Sequence, residues 1–203
     1  MIIVANGRSW PAQGRALSSM FEARKQVFVD LLKWDVPVIG GRFELDQYDD
    51  DRAAYLIVAN GDGEHLGSAR LLETTRSHIL ADLYPELCEG PLPRGPRTFE
   101  ITRFCLGRNQ RATERRDTRN RLVSALVRFA LDRGITRYTG VAEVGWLQQI
   151  LAFGWDCSPL GAPRELGGRV LGALVIAITA ETPTLLAQNG VWIADTPTLA
   201  EAA

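Results

Sequence analysis

Histidine is almost missing from this chain: His65 and His78 are the two in 203 residues. Neither has a Cys, Asp or Ser at a spacing that suggests a metal site or a Ser-His triad, which argues against metal and serine-hydrolase chemistry. Cysteine is scarce as well. Cys88, Cys105 and Cys157 are widely separated, odd in number and in no CxxC pair, the pattern of packed free thiols in a reducing compartment. No basic stretch followed by an apolar run opens the sequence, and the longest apolar run, residues 170–178, is far shorter than the roughly 20 residues of a membrane span. These absences predict a cytoplasmic protein with no membrane span. A net charge of −1 gives no reason to expect a nucleic acid partner, and 46% hydrophobic with 23% charged residues is ordinary globular composition. At this length, without repeats or low-complexity stretches, residues 1–203 are expected to form a single domain with a core of its own.

Apolar periodicity predicts the elements. Leu17, Met20, Phe21, Val27, Phe28, Leu31 and Leu32 recur at helical spacing and predict an amphipathic helix over residues 13–33. A strand over 53–60, closed by the Asn60-Gly61-Asp62-Gly63 turn, is expected to return as a hairpin over 64–74. A helical turn near 79–87 follows, and residues 98–106 carry apolar groups on both faces, as a central strand does. A helix over 117–133 capped at Asp117 or Thr118, a strand over 135–142, a helix over 143–153, a strand over 169–179 and a short helix over 183–188 complete the reading. Strand, helix, strand in that order implies a crossover unit. The expected class is α/β: a mixed, twisted central sheet with helices on both faces in three α-β-α layers.

Several charged residues do not fit a plain core. Arg24 falls in the apolar face of the first helix, where it either snorkels to solvent or meets a partner. Glu44, Asp46, Asp49, Asp50 and Asp51 form an acidic cluster, and Asp46, Asp49 and Arg70 could make a carboxylate–guanidinium network or a merely solvated turn. Glu100 and Arg103 lie in an otherwise apolar strand, so they are paired with each other or functional. Their spacing of three puts them on opposite faces unless the strand is bulged. Between residues 103 and 121 stand seven arginines against Glu114 and Asp117, a local excess of five positive charges. Something acidic could dock there.

Arg24, Phe28, Trp34, Asp46, Asp49, Arg70, Glu100 and Arg103 together resemble the pattern of the LuxI-type acyl-homoserine lactone synthases. So do the phrases Arg24-Lys25-Gln26-Val27-Phe28, Asp46-Gln47-Tyr48-Asp49, Gly67-Ser68-Ala69-Arg70-Leu71-Leu72 and Phe99-Glu100-Ile101-Thr102-Arg103-Phe104. The resemblance is strong through about residue 106 and weaker beyond. Glu73 stands where the family usually has proline, and Thr102 replaces a common serine but keeps its hydroxyl.

The resemblance implies a fold similar to the GNAT acetyltransferases and an enzyme that acylates the amine of S-adenosylmethionine from an acyl carrier protein or coenzyme A thioester. Lactone closure then releases 5'-methylthioadenosine, and the product serves quorum sensing. No cofactor is implied, because S-adenosylmethionine is a substrate. Glu100 and Arg103 are the expected catalytic residues, Glu100 as base for the amine. Arg24, Phe28 and Trp34 are expected in the S-adenosylmethionine site, and Asp46, Asp49 and Arg70 in an electrostatic cluster that holds a mobile N-terminal part, about residues 1–52. Thr102, Val141 and Ala142 are expected at the acyl pocket; a threonine following the strand valine accompanies 3-oxo chains in the family, so Ala142 after Val141 hints at an unsubstituted or 3-hydroxy chain. Arg108, Arg111, Arg115, Arg116 and Arg119 are the expected docking surface for an acidic carrier protein. The rivals are a GNAT-like N-acyltransferase using acyl-coenzyme A, disfavoured by the lack of glycine in residues 108–113, and a non-catalytic module that binds an acidic partner.

Overall fold

The computed structural model describes residues 1–6, 10–194 and 200–201. In chain order the elements are β1 (Ile2–Asn6), α1 (Trp10–Arg24), a π-helical segment (Lys25–Leu31), β2 (Val38–Ile39), β3 (Phe43–Glu44), β4 (Ala54–Ala59), β5 (His65–Glu73), α2 (Ile79–Leu83), a 3-10 turn (Pro85–Leu87) and β6 (Thr98–Leu106). Then come α3 (Ala112–Arg133), β7 (Arg137–Glu143), α4 (Val144–Leu151), β8 (Cys157–Pro159), β9 (Arg164–Leu166), β10 (Arg169–Ala177), α5 (Thr182–Gln188) and β11 (Ala200–Glu201). No helix among the described residues is long and apolar enough to cross a membrane.

The chain forms two compact units, neither of them one stretch of sequence: residues 1–71, 103–125 and 193–203, and residues 72–102 with 126–192. In the first unit β1 pairs antiparallel with β4 and parallel with β11, and β4 pairs antiparallel with β5 across the predicted hairpin. The turn is built as its sequence dictates, with Asn60 Oδ1 accepting the Asp62 and Glu64 amides and Gly63 at φ +80°. In the second unit β6 and β7 are parallel, as the crossover reading requires, while β10 pairs antiparallel with β7, β8 and β9. The sheet is therefore mixed.

Three differences from the periodicity have physical causes. The short strands β1, β2, β3, β8, β9 and β11 went unpredicted; β1 buries Ile2 through Ala5 without alternation, so it carries no period-2 signal. α3 begins at Ala112 rather than 117, because its first six residues are exposed and leave no apolar stripe, while Glu114 Oε2 accepts the Arg111 amide at its start (2.8 Å). The first helix starts at Trp10 and turns π-helical after Arg24. The wider π turns place Val27 and Phe28 inside but leave Leu31 and Leu32 exposed. A Lys25–Asp30 ion pair (2.9 Å) spans five residues there, matching the Leu32 N–H bond to the Val27 carbonyl (2.9 Å).

Close packing in the first unit depends on Gly67 of β5. A Cβ there would lie 2.8 Å from Thr118 Cγ2 of α3 and 3.0 Å from Leu106 Cδ2. Gly67→Ala is therefore expected to lower unfolding stability by about 1–3 kcal/mol, read as a shifted urea midpoint. An unchanged midpoint would mean that α3 has room to move away.

Candidate active site

Six charged side chains of the first unit converge into one buried cluster. Arg24 ends α1 and is 1% exposed; its Nε donates to Glu44 Oε2 (2.6 Å), and Nη1 and Nη2 donate to the two oxygens of Asp49 (2.8 Å each). Arg70, in β5, gives Nη1 and Nη2 to Asp46 (2.6 and 3.1 Å) and lies 2.9 Å from Asp49. Arg103, in β6, donates from Nε and Nη2 to Glu44 Oε1 (3.1 and 3.0 Å) and from Nη2 to Asp46 Oδ2 (2.7 Å). Three guanidiniums thus meet three carboxylates, so the cluster is neutral as a whole. The network expected of Asp46, Asp49 and Arg70 is present, and Arg24 is buried within it rather than snorkelling to solvent.

Local structure explains the convergence. The Asp46–Asp49 segment is a turn in which Asp49 Oδ2 accepts the Asp46 amide and Asp46 Oδ1 accepts the Tyr48 amide (2.9 Å each), so both carboxylates are oriented by their own backbone. The hairpin register places Tyr55 opposite Arg70, and its hydroxyl donates to Asp49 Oδ1 (3.0 Å). Burial opposes ionisation of Asp49, yet hydrogen bonds and charge from Arg24, with Arg70 behind it, hold its carboxyl well below the usual range. Burial likewise works against charge on Arg24, but Asp49 and Glu44 outweigh it and keep the guanidinium protonated.

An aromatic pair borders the cluster. Lys33 turns left-handed (φ +57°) after the π-helical segment, and the Trp34 amide donates back to the Phe28 carbonyl (2.8 Å). That reversal lays Trp34 on Phe28, with centroids 4.6 Å apart and planes 24° from parallel. The Arg103 guanidinium carbon lies 5.5 Å from the Phe28 centroid and 5.6 Å from that of Trp34. Arg103 reaches this position from a left-handed backbone (φ +49°), a conformation costing about 1–3 kcal/mol for a non-glycine residue. The irregularity expected in this strand is thus centred on Arg103: Glu100 and Thr102 are buried and Ile101 half-buried before it, whereas two successive residues, Cys105 and Leu106, are buried after it.

In the second unit Glu100 is wholly buried, and its oxygens accept the Ile79 and Leu80 amides at the start of α2 (2.8 Å each). Thr139 of β7 stands opposite Glu100 in the parallel register; its hydroxyl is buried and finds no hydrogen-bond partner among the described residues. Two positions further on, Val141 packs against Leu80, Leu87, Leu171 and Ala173. Ala142 follows it in β7, half-buried and, by strand alternation, facing the other way. Thr102 is buried on β6.

The basic run divides. Arg108, Arg111, Arg115 and Arg116 are exposed and Arg119 half-buried; Arg115 also donates to the Leu106 and Gly107 carbonyls (3.3 and 3.1 Å) and Arg119 to Asn120 Oδ1 (3.0 and 2.7 Å). Arg115 thereby ties the first turn of α3 back to the end of β6. Glu44, Tyr55 and Thr139 were not singled out as site residues. Glu44 stands two before Asp46, as alternation requires for a shared direction, and Tyr55 was readable from the hairpin register; the orphaned Thr139 hydroxyl had no sequence signal.

His65 accompanies the cluster. Its Nε2 is 2.9 Å from Ser68 Oγ and no carboxylate bonds its other nitrogen among the described residues, so the pair is not a triad. Burial, then the charge of Arg24, pushes its pKa down to about 4. A neutral buried histidine contributes stability that is complete above its unfolded pKa of about 6.5 and is lost as pH falls through 4. Urea unfolding is expected to weaken between those values and the slope to flatten in His65→Asn; a slope unchanged by the substitution would assign the loss to other groups. Asp49→Asn, which leaves buried guanidiniums underpaired, is expected to cost about 3–5 kcal/mol at pH 7 in the same assay.

The family model described as autoinducer synthase matches residues 12–185. The acyl-homoserine-lactone synthase of Ralstonia nicotianae is 36% identical over 181 residues, covering 87% of this chain and 89% of its own. The structure of BjaI, a CoA-dependent acyl-homoserine lactone synthase, with SAM and isopentyl-CoA is similar at a TM-score of 0.81 and 26% identity, covering 98% of this chain and 95% of BjaI; its structure with MTA reaches 0.84. An acyl-CoA N-acyltransferase from Pseudomonas aeruginosa, at 17% identity and a TM-score of 0.56 over 86% of this chain and 98% of its own, shares the fold alone. With a family match that spans most of its length and relatives that agree in sequence and in structure, this chain belongs to the autoinducer synthase family.

Proposed function

We propose that this protein is an acyl-homoserine lactone synthase that transfers an acyl chain from a thioester to the amine of S-adenosylmethionine and then closes the lactone, releasing 5'-methylthioadenosine. The observation that carries the reading is the buried cluster of Arg24, Glu44, Asp46, Asp49, Arg70 and Arg103 beside the Phe28–Trp34 stack, in a chain similar throughout to BjaI, whose structures contain SAM and MTA. The residues divide the work as follows. Phe28 and Trp34 offer aromatic surface to the adenosyl and sulfonium groups. Arg103 stands beside them as the cation for the substrate carboxylate. Arg24 serves the same site from behind, since its guanidinium is committed to Glu44 and Asp49.

Acyl transfer begins with loss of a proton from the substrate amine, whose reference pKa near 8 asks for only a modest base. Glu100 suits that role: its buried carboxylate is oriented by the Ile79 and Leu80 amides and takes the proton directly or through a water. The nitrogen forms the new C–N bond, the tetrahedral carbon collapses, and the thiolate leaves. No side-chain nucleophile is needed. In the second step a carboxylate oxygen of the acylated substrate attacks the carbon beside the sulfonium, the C–S bond breaks, and a neutral thioether departs. Opposite charges cancel there, so poor solvation favours the step.

The apolar cluster of Leu80, Leu87, Leu171 and Ala173 with Val141 suits an acyl chain, and the Thr102 and Thr139 hydroxyls suit an oxygen substituent near its thioester end. Arg108, Arg111 and Arg116 suit an acidic carrier protein, although BjaI is CoA-dependent and either donor agrees with the site. The cysteines are free, which suits a cytoplasmic setting.

Incubating the protein with S-adenosylmethionine and a panel of carrier-protein and coenzyme A thioesters is expected to yield both 5'-methylthioadenosine and an acyl-homoserine lactone by mass spectrometry. Thioester consumption without methylthioadenosine would instead identify an N-acyltransferase. Glu100→Gln is expected to lower kcat by roughly 100-fold or more while S-adenosylmethionine affinity stays within about threefold; equal losses would make Glu100 a structural charge. Thr139→Val is expected to lower kcat/KM about 10-fold for donors oxygenated at C3 relative to unsubstituted ones, and an unaltered ratio would remove it from acyl selection.

A further inference from the structure

Glu44 stands outside every role assigned so far, yet it joins two parts of the cluster. It occupies the end of the two-residue strand β3, paired with Val38, and is wholly buried. Its Oε2 accepts from Arg24 Nε and, at 3.3 Å, from Arg103 Nε, while its Oε1 accepts two bonds from Arg103. The other two acids are committed: Asp49 serves Arg24, Arg70 and Tyr55, while Asp46 serves Arg70 and offers Arg103 a single bond. Glu44 alone among the described acids therefore grips Arg103 by both Nε and Nη2, which fixes the plane of the guanidinium as well as its distance.

We propose that Glu44 is a positioning residue of the S-adenosylmethionine site, setting Arg103 beside the Phe28–Trp34 stack without touching the substrate itself. The backbone shows why an anchor is required. Arg103 holds a left-handed conformation that only glycine adopts without strain, and the grip on its side chain opposes relaxation to an extended one. Relaxation would restore strand alternation and turn the side chain away from the rings. A glutamine at 44 keeps the shape but loses the charge and puts a donor NH₂ where one acceptor oxygen stood, so it cannot keep all the bonds that Arg24 and Arg103 make to the two carboxylate oxygens. An aspartate keeps the charge but is one methylene short of spanning both.

This inference rests on the proposed placement of S-adenosylmethionine, and the test separates the two. S-adenosylmethionine binding is measured by calorimetry for the full chain and for Glu44→Gln, Arg103→Gln, the double variant and Trp34→Ala, with thermal unfolding of each. Glu44→Gln is expected to weaken binding about 10-fold, and the double variant to bind no more than about twofold weaker than Arg103→Gln, because the two residues act as one unit. A merely structural Glu44 would lower the melting temperature without that coupling. Losses that multiply in the double variant, or a Glu44→Gln affinity within about twofold of the parent while Trp34→Ala is impaired, would overturn the role of Glu44 alone. Unchanged affinity in Trp34→Ala would overturn the placement of S-adenosylmethionine and this inference with it. Should Glu44→Gln not fold, Glu44→Asp in the same cycle, with and without Arg103→Gln, is expected to show the same coupling, and multiplying losses there would overturn the proposal equally.

Discussion

Three guanidiniums and three carboxylates share one buried space in the first unit, and that charge balance constrains the structure around it. Each ion would be costly to bury alone, so the six are tolerable only as a set in which every partner is in place. The set draws on the end of α1, the strand β3, the Asp46–Asp49 turn, β5 and β6. Sequence segments as far apart as Arg24 and Arg103 are thereby tied to one another by directional bonds rather than by apolar contact alone.

Once the cluster is closed, its surroundings follow. The segment after Arg24 departs from α-helical hydrogen bonding, and a left-handed Lys33 brings Trp34 back onto Phe28. Arg103 is drawn into a left-handed backbone within a strand, strain that the rest of the cluster sustains. Local rules of helix and strand are broken at these points, where the proposed substrate contacts lie. In the second unit the polar demand is met differently: Glu100 accepts two backbone amides, while the Thr139 hydroxyl opposite it is buried with no hydrogen-bond partner among the described residues.

Much of this was legible beforehand. The hairpin of β4 and β5 was written in a turn whose asparagine and glycines admit few conformations, and the parallel pairing of β6 and β7 followed from strand, helix, strand order. Arg24 betrayed itself by lying in an apolar stripe, and Glu100 and Arg103 by lying in an apolar strand. Other features left no trace of that kind. The first turns of α3 carry no apolar period because nothing covers them, and β1 carries none because both its faces are covered.

What the amino-acid sequence determined by itself was the set of residues that could not be ordinary core or ordinary surface, because hydrophobic periodicity is local and a charge that violates it is visible one residue at a time. Tertiary structure alone decided how those residues pair. Arg24 went to Glu44 and Asp49, Arg103 was turned toward the Phe28–Trp34 stack, and Arg115 was tied back to the end of β6. Partner choice among buried charges depends on distances between segments remote in sequence, and on which backbone strain the whole set can sustain, and neither quantity is encoded in any local window.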